Sequence, residues 1–256
     1  MRILAITNQK GGVGKTTTCV NLAASLSLAK RRVLLVDLDP QGNATTGSGL
    51  EKSVLTATVY HILLGQQPLE RVRVRSEVGG FDIVPANREL AGAEVELVNE
   101  LARETRLKTA LESISQEYDY ILLDCPPALN LVTVNALTAA DAVMIPMQCE
   151  YFALEGLSDL VNTIKKVRAY LNPKLEIEGL LRTLFDPRNM LAQQVSAQLE
   201  SHFGKKVYST VIPRNIRLAE APSYGMPVFY HDKASKGAQA YLALAQEIIN
   251  REQAHG

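Results

Sequence analysis

Short apolar runs alternate along this chain with longer stretches in which apolar side chains return every three or four positions. Residues 3–6, 33–36, 120–123 and 142–145 carry no charged side chain. Such runs fit strands covered on both faces, as in a parallel sheet, whereas a strand with one wet face would alternate apolar with polar. Residues 81–84, 179–184 and 207–212 complete the strand candidates. Between them the helical period predicts helices over 17–29, 59–64, 88–115 with a break near Thr105, 154–171, 191–203 and 237–251. Residues 45–49 are small and glycine-rich and read as a loop.

Strand, crossover helix and strand, repeated along the chain, predict an α/β fold: a mostly parallel twisted sheet with helices on both faces. No linker-like or low-complexity stretch interrupts the alternation, so residues 1–256 are expected to form a single domain. At 256 residues the chain can bury a sizeable core.

One stretch does not serve the core. Gln9-Lys10-Gly11-Gly12-Val13-Gly14-Lys15-Thr16-Thr17 sits between the first strand and the first helix. Closely spaced glycines let backbone N–H groups wrap around an anion, and the helix N-terminus behind them adds a favourable dipole. Lys15 would meet terminal phosphates, and the Thr16 hydroxyl would ligate the accompanying Mg²⁺. The stretch matches the P-loop pattern, except that Gln9 stands where the first glycine belongs and a second lysine, Lys10, follows it. A phosphate-binding site in an open parallel sheet also takes acidic residues from the carboxyl ends of strands. Asp37 and Asp39 follow the second apolar run, two positions apart and so on one face of a continued strand, and Asp124 follows the run at 120–123. Asp124 has the context of a Mg²⁺-holding carboxylate, while Asp37 and Asp39 divide between metal and attacking water.

Composition narrows the classes. Hydrophobic residues make up 46% and charged residues 21%, ordinary values for a globular protein, and 27 basic residues balance 27 acidic ones. The balance is local rather than uniform. Between Arg182 and Lys236 eight basic residues face four acidic ones, a surplus of four that the rest of the chain offsets. Three widely spaced cysteines, Cys19, Cys125 and Cys149, suit reduced, buried thiols in a cytosolic protein. His61, His202, His231 and His255 lack metal-ligand spacing. No run approaches a membrane span, and the first apolar run ends at Thr7-Asn8-Gln9-Lys10, unlike a secretory leader. The last helix carries Tyr241, Leu242, Leu244, Ala245, Ile248 and Ile249, but the tail after it lacks the basic face of a membrane-surface helix, so core packing is expected.

The motifs together resemble those of a known family. Lys10-Gly11-Gly12-Val13-Gly14-Lys15-Thr16 is similar to the deviant Walker A motif, and Val36-Asp37-Leu38-Asp39-Pro40-Gln41-Gly42-Asn43 to the segment that accompanies it in the ParA/Soj partition ATPases. Leu122-Leu123-Asp124-Cys125-Pro126-Pro127 resembles their Walker B strand and switch. The segments from Gln148 to Leu157 and from Ile212 to Ser223 resemble further family blocks, so the likeness covers nearly the whole chain.

The resemblance implies a Mg²⁺-dependent ATPase with ATP on Lys10, Gly11, Gly12, Val13, Gly14, Lys15, Thr16 and Thr17, and with Pro213 and Asn215 near adenine. It implies Mg²⁺ at Thr16, Asp39 and Asp124, catalysis by Lys10, Lys15 and Asp39, and a homodimer when ATP is bound, with Lys10 reaching the partner's nucleotide. Arg188 and Arg217, helped by Lys233 and Lys236, would hold double-stranded DNA without sequence preference, through phosphate contacts and counterion release. A ParB/Spo0J-type partner would stimulate hydrolysis, and the protein would be cytoplasmic, on the nucleoid and not on a membrane. With nine residues ahead of Lys10, no N-terminal helix-turn-helix is expected. Two alternatives stay open: a MinD-like positioning ATPase on membranes, and a P-loop ligase or synthetase of small-molecule metabolism.

Overall fold

A computed structural model describes residues 1–255. The chain begins with β1 (Arg2–Ile6), α1 (Lys15–Leu28), β2 (Val33–Asp37), and the short helices α2 (Asn43–Gly47), α3 (Val59–Leu63) and α4 (Leu69–Val72). Next come β3 (Val74–Ser76), β4 (Phe81–Val84), α5 (Leu90–Glu96), α6 (Arg106–Glu112), β5 (Tyr120–Asp124), α7 (Leu131–Ala139) and β6 (Ala142–Met147). It closes with α8 (Ala153–Tyr170), β7 (Glu176–Arg182), α9 (Met190–Phe203), α10 (Ile216–Glu220), α11 (Val228–His231) and α12 (Lys236–His255).

Among the described residues seven strands form one sheet in the order β3-β4-β2-β5-β1-β6-β7, with β3 antiparallel to β4 and every other pair parallel. The apolar runs are buried on both faces because successive side chains point to opposite sides. Ile3, Ala5, Leu34, Val36, Ile121 and Leu123 pack with α6, α7 and α8. Leu4, Ile6, Leu35 and Leu122 pack instead with α1 and α12, whose Leu22, Leu26, Tyr241, Leu244 and Ile248 are all buried. The apolar face of α12 is thus spent on the core, as expected.

Helix α1 ends in a left-handed residue. Arg31 N–H donates to the Leu26 carbonyl at 3.0 Å and Lys30 N–H to that of Ser27 at 2.8 Å, a Schellman turn with Lys30 at φ 60°. Glycine is the usual occupant, and a lysine there costs about 1–2 kcal/mol.

Three expectations need correction, and a fourth, the broken helix, holds. Of residues 45–49, expected as a loop, 45–47 belong to α2 and only 48–49 form a turn, because the buried Asp37 carboxylate accepts from Thr45 N–H at 2.8 Å and from Thr45 Oγ1 at 2.7 Å. The break expected near Thr105 is there: turns separate the helical stretch that ends at Asn99 from α6, whose N-cap is Thr105. Arg103 Nη1 takes the Val98 carbonyl at 2.6 Å, Arg106 Nε takes that of Leu101 at 3.1 Å, and Ala102 is left-handed at φ 53°. Residues 207–212 are not a regular strand beside β7. They make a single isolated bridge, Val207 to Leu180, because Arg182 Nη2 donates to the Tyr208 carbonyl at 2.8 Å and Glu247 accepts the N–H groups of Ser209 and Thr210, both at 2.8 Å. Strand β7 itself stops at Arg182, short of the expected Leu184, whose φ is 50°.

Candidate functional site

The glycine loop lies at the carboxyl end of β1 and feeds α1. Gly12 and Gly14 take φ of 73° and 85°, a region closed to most side chains. A Cβ on Gly11 or Gly12 would meet nothing within 4 Å, so backbone conformation and open space for an anion, rather than packing, account for them. Both loop shoulders are held from outside. Thr183, just past β7, donates to the Val13 carbonyl at 2.7 Å, and Gln148, just past β6, donates to that of Gly12 at 3.2 Å. Asn8 ties the loop entrance to β6 through the Pro146 carbonyl at 2.8 Å and accepts the Lys10 N–H at 3.0 Å. With the Gly12 and Val13 carbonyls held outward, the loop leaves N–H groups for a ligand.

Lys15 is only 7% exposed and donates from Nζ to the Lys10 carbonyl at 3.0 Å. Burial lowers its pKa, opposed by the charges of Asp124, Cys125 and Asp39. Lys10 is different: its side chain is half exposed and its ammonium pairs with Glu150.

Asp37 and Asp124 are register neighbours on β2 and β5, and neither has any exposure. Burial raises both carboxyls, and the neighbouring Asp37 raises Asp124 further. Their partners separate their roles. Asp37 accepts from Asp39 N–H at 3.1 Å as well as twice from Thr45, so it is committed to anchoring α2 and is unavailable for the water or metal role that its spacing suggested. Asp124 accepts from Cys19 Sγ at 3.4 Å, the nearby Thr16 hydroxyl favours its charged form, and its Oδ2 is buried with no partner. Asp124, with the buried Asp37 beside it on the next strand, acts on the buried Lys15, and a small divalent cation beside Thr16 and the open oxygen of Asp124 would favour its charged form. Among the described residues no group of three or more His, Cys, Asp or Glu could hold a metal alone. That suits Mg²⁺, which keeps waters and takes phosphate oxygens alongside one or two protein ligands. Asp39 is partly exposed, lies near enough to act on the Lys15 charge, and accepts from Gln41 N–H at 2.9 Å.

Two other groups of predicted residues lie along one path from the loop. Past Thr183, Phe185 exchanges backbone bonds with Ile212 and Arg214, both 3.1 Å, which sets Pro213 against the loop's support. Asn215 caps α10 by accepting from Arg217 N–H at 3.1 Å. The Phe185–Arg214 bond also brings Arg188 beside the 214–217 turn, and an Arg217–Asp232 ion pair brings in Lys233, with Lys236 opening α12. All four predicted cations are exposed. Both arginines are engaged by carboxylates: Arg188 by Asp186 at 2.9 Å, Arg217 by Glu220 at 2.7 Å and Asp232 at 3.4 Å.

Sequence reasoning missed Thr183, Gln148, Glu150 and Cys19. Thr183 and Gln148 follow the carboxyl ends of strands, the one signal that could have found them.

Comparisons place this geometry among known proteins. A family model described as an AAA domain matches residues 1–177. The chromosome partitioning protein ParA of Caulobacter vibrioides is 52% identical over 254 residues, covering 98% of this chain and 95% of that protein. The sporulation initiation inhibitor protein Soj of Bacillus subtilis is 55% identical over 247 residues, covering 96% and 98%. Cobyrinic acid a,c-diamide synthase of Mycobacterium smegmatis, solved with an ATP analogue and magnesium, superposes with a TM-score of 0.88 at 37% identity, covering 100% of this chain and 97% of that one.

Proposed function

The chain belongs to the ParA/Soj family of chromosome-partitioning ATPases, and from that premise we propose that it is a switch whose ATP-bound dimer holds DNA and whose hydrolysis releases it. Residues 1–256 act as one domain. The N–H groups from Gly11 to Thr17 and the Lys15 ammonium bind the phosphates of ATP, while Pro213 and Asn215 border the adenine. Thr16 and the open oxygen of Asp124 hold Mg²⁺, with Asp39 at the edge of its site. Bound magnesium neutralises charge between the terminal phosphates. Asp39, outside the buried pair and not committed to α2, orients the attacking water. Lys15 stabilises charge developing on the transferred phosphoryl group, and Lys10, from the partner subunit, adds to it.

The observation that carries this reading is the division between the two lysines. Lys15 is buried against its own loop, whereas the Lys10 ammonium is turned to the surface and held by Glu150. A cation that its own cradle does not use is available to a second nucleotide. Arg188, Arg217, Lys233 and Lys236 lie along connected turns, so dimerisation would double a basic face and with it the number of phosphate contacts. A ParB-type partner stimulates hydrolysis, and the protein works in the cytoplasm on the nucleoid. The burial of Tyr241, Leu244 and Ile248 supports DNA over a membrane surface as the site of attachment.

Asp39→Ala tests the reading. Turnover should fall about a hundredfold while ATP stays bound and dimer accumulates on DNA, followed by sedimentation with ATP, ADP or no nucleotide across a salt series. A variant that stays monomeric with ATP, or wild-type DNA binding that ignores the nucleotide, would overturn it. Rapid ATP turnover with a small amide-accepting acid and no DNA would instead favour the synthetase chemistry of the Mycobacterium neighbour.

A further inference from the structure

At the opposite end of the sheet lies a second concave site that the ATPase reading does not use. It is a cavity of about 450 Å³ bordered by the residues that lead into β2 and β5 and by the β3–β4 hairpin. Because β5 runs from this end to the nucleotide end, the two sites are separated by roughly 13 Å of strand. Five cationic side chains line the cavity: Lys30, Arg31, Arg32, Arg73 and Arg75. The acidic side chains on the wall are Asp82 and Glu117, and Asp119 stands behind Arg32.

The pairing is incomplete. Arg32, Arg73 and Arg75 are matched by Asp119, Glu117 and Asp82. Arg31 feels the charge of Asp119 without bonding to it, and its Nε is buried with no hydrogen-bond partner. A buried guanidinium donor left open is costly unless a ligand satisfies it. Lys30 stands at the left-handed position closing α1, where glycine would be less strained, so its side chain is retained against local backbone preference. The negative end of α1 calls for one nearby cation; it does not account for five converging on one hollow.

We propose that this cavity is an anion site that binds phosphoryl groups, with Lys30 and Arg31 as its open donors and Arg75 and Arg73 at its wall. Guanidinium forks match phosphoryl oxygens in pairs, and the volume admits a diphosphate or a short turn of phosphodiester backbone. The site is independent of the P-loop and of the partition reading.

The test titrates inorganic pyrophosphate into the full chain, free of nucleotide and magnesium, by calorimetry. The wild type should show binding at both ends of the sheet. Lys15→Ala should remove the P-loop contribution and leave the other, and Lys30→Glu added to it should weaken what remains by about tenfold. Arg31→Gln should act in the same direction, and the exposed Lys30 keeps the test valid if the partly buried Arg31 variant folds poorly. A parallel arm measures duplex DNA binding by Lys30→Glu with ATP present. Pyrophosphate binding that survives Lys15→Ala and is lost with Lys30→Glu assigns the site to free phosphorylated molecules. Loss of DNA affinity alone assigns it to phosphodiesters. If Lys30→Glu changes neither, the proposal is overturned.

Discussion

The glycine loop and the basic turns at 185–188 and 213–217 are built on opposite plans. In the loop the groups are fixed by a second layer: Thr183 and Gln148 on its carbonyls, Lys10 O on Lys15, and Cys19 on one oxygen of Asp124. Lys15, Cys19, Asp124 and Thr183 are shielded from water there. At the basic turns Arg188 and Arg217 stand in solvent and are held by carboxylates that any anionic ligand would have to displace. The first arrangement gives effects set by geometry and little screened by salt. The second gives effects set by charge, individually small and strongly salt-dependent.

Lys15→Ala should break the comparison most sharply. It removes a buried charge facing Asp124 and frees the Lys10 carbonyl, so ATP affinity measured by calorimetry should fall about a hundredfold or more. Lys15→Arg should not rescue it, because the planar fork cannot occupy the point-charge position. Unchanged affinity in Lys15→Ala would mean that the backbone cradle alone binds the nucleotide. Arg217→Ala comes next. With ATP present, DNA affinity at moderate salt should drop several-fold and the salt slope should flatten by about one per subunit, while ATP-driven dimerisation is unchanged. An unaltered slope would take Arg217 off the DNA face.

The same contrast explains what could be foreseen from sequence. Strands buried on both faces are continuous apolar runs, so β1, β2, β5 and β6 were legible from the order of apolar residues alone. The cradle was legible because its chemistry is local, with glycines, lysine and threonine adjacent in the chain. Helix α2 was not, because its cause is the Asp37 carboxylate eight residues away. The irregular 207–212 segment was misread as a strand for a similar reason: its ladder partners are replaced by Arg182 and Glu247 from other elements. Thr183 reaches the loop across 170 residues and Glu150 reaches Lys10 across 140, distances at which only the completed sheet gives information. The carboxylates on Arg188 and Arg217 were visible as residues but not as partners, since spacing alone does not separate a paired acid from a solvated one.

The smallest expected effect sharpens the comparison furthest, because its sign separates two roles for the acids at the basic turns. Asp186 accepts from Arg188 Nε at 3.0 Å, from Nη2 at 2.9 Å and from its backbone N–H at 3.0 Å. These bonds hold the Asp186 carboxyl down at about 2. The pair therefore stays charged throughout the neutral range, and changes of pH between 5 and 8 do not release the arginine through this acid. Asp186→Asn does, keeping the shape and the backbone bond while removing the competing charge. If the carboxylate masks Arg188, DNA affinity should rise about threefold at low ionic strength and the salt slope should steepen by up to one per subunit. The gain should fade in high salt as the interaction is screened. If the carboxylate instead orients the guanidinium toward a phosphate, affinity should fall at every salt concentration and the slope should hold. Only the first result would make the acids around Arg188 and Arg217 a brake on DNA binding.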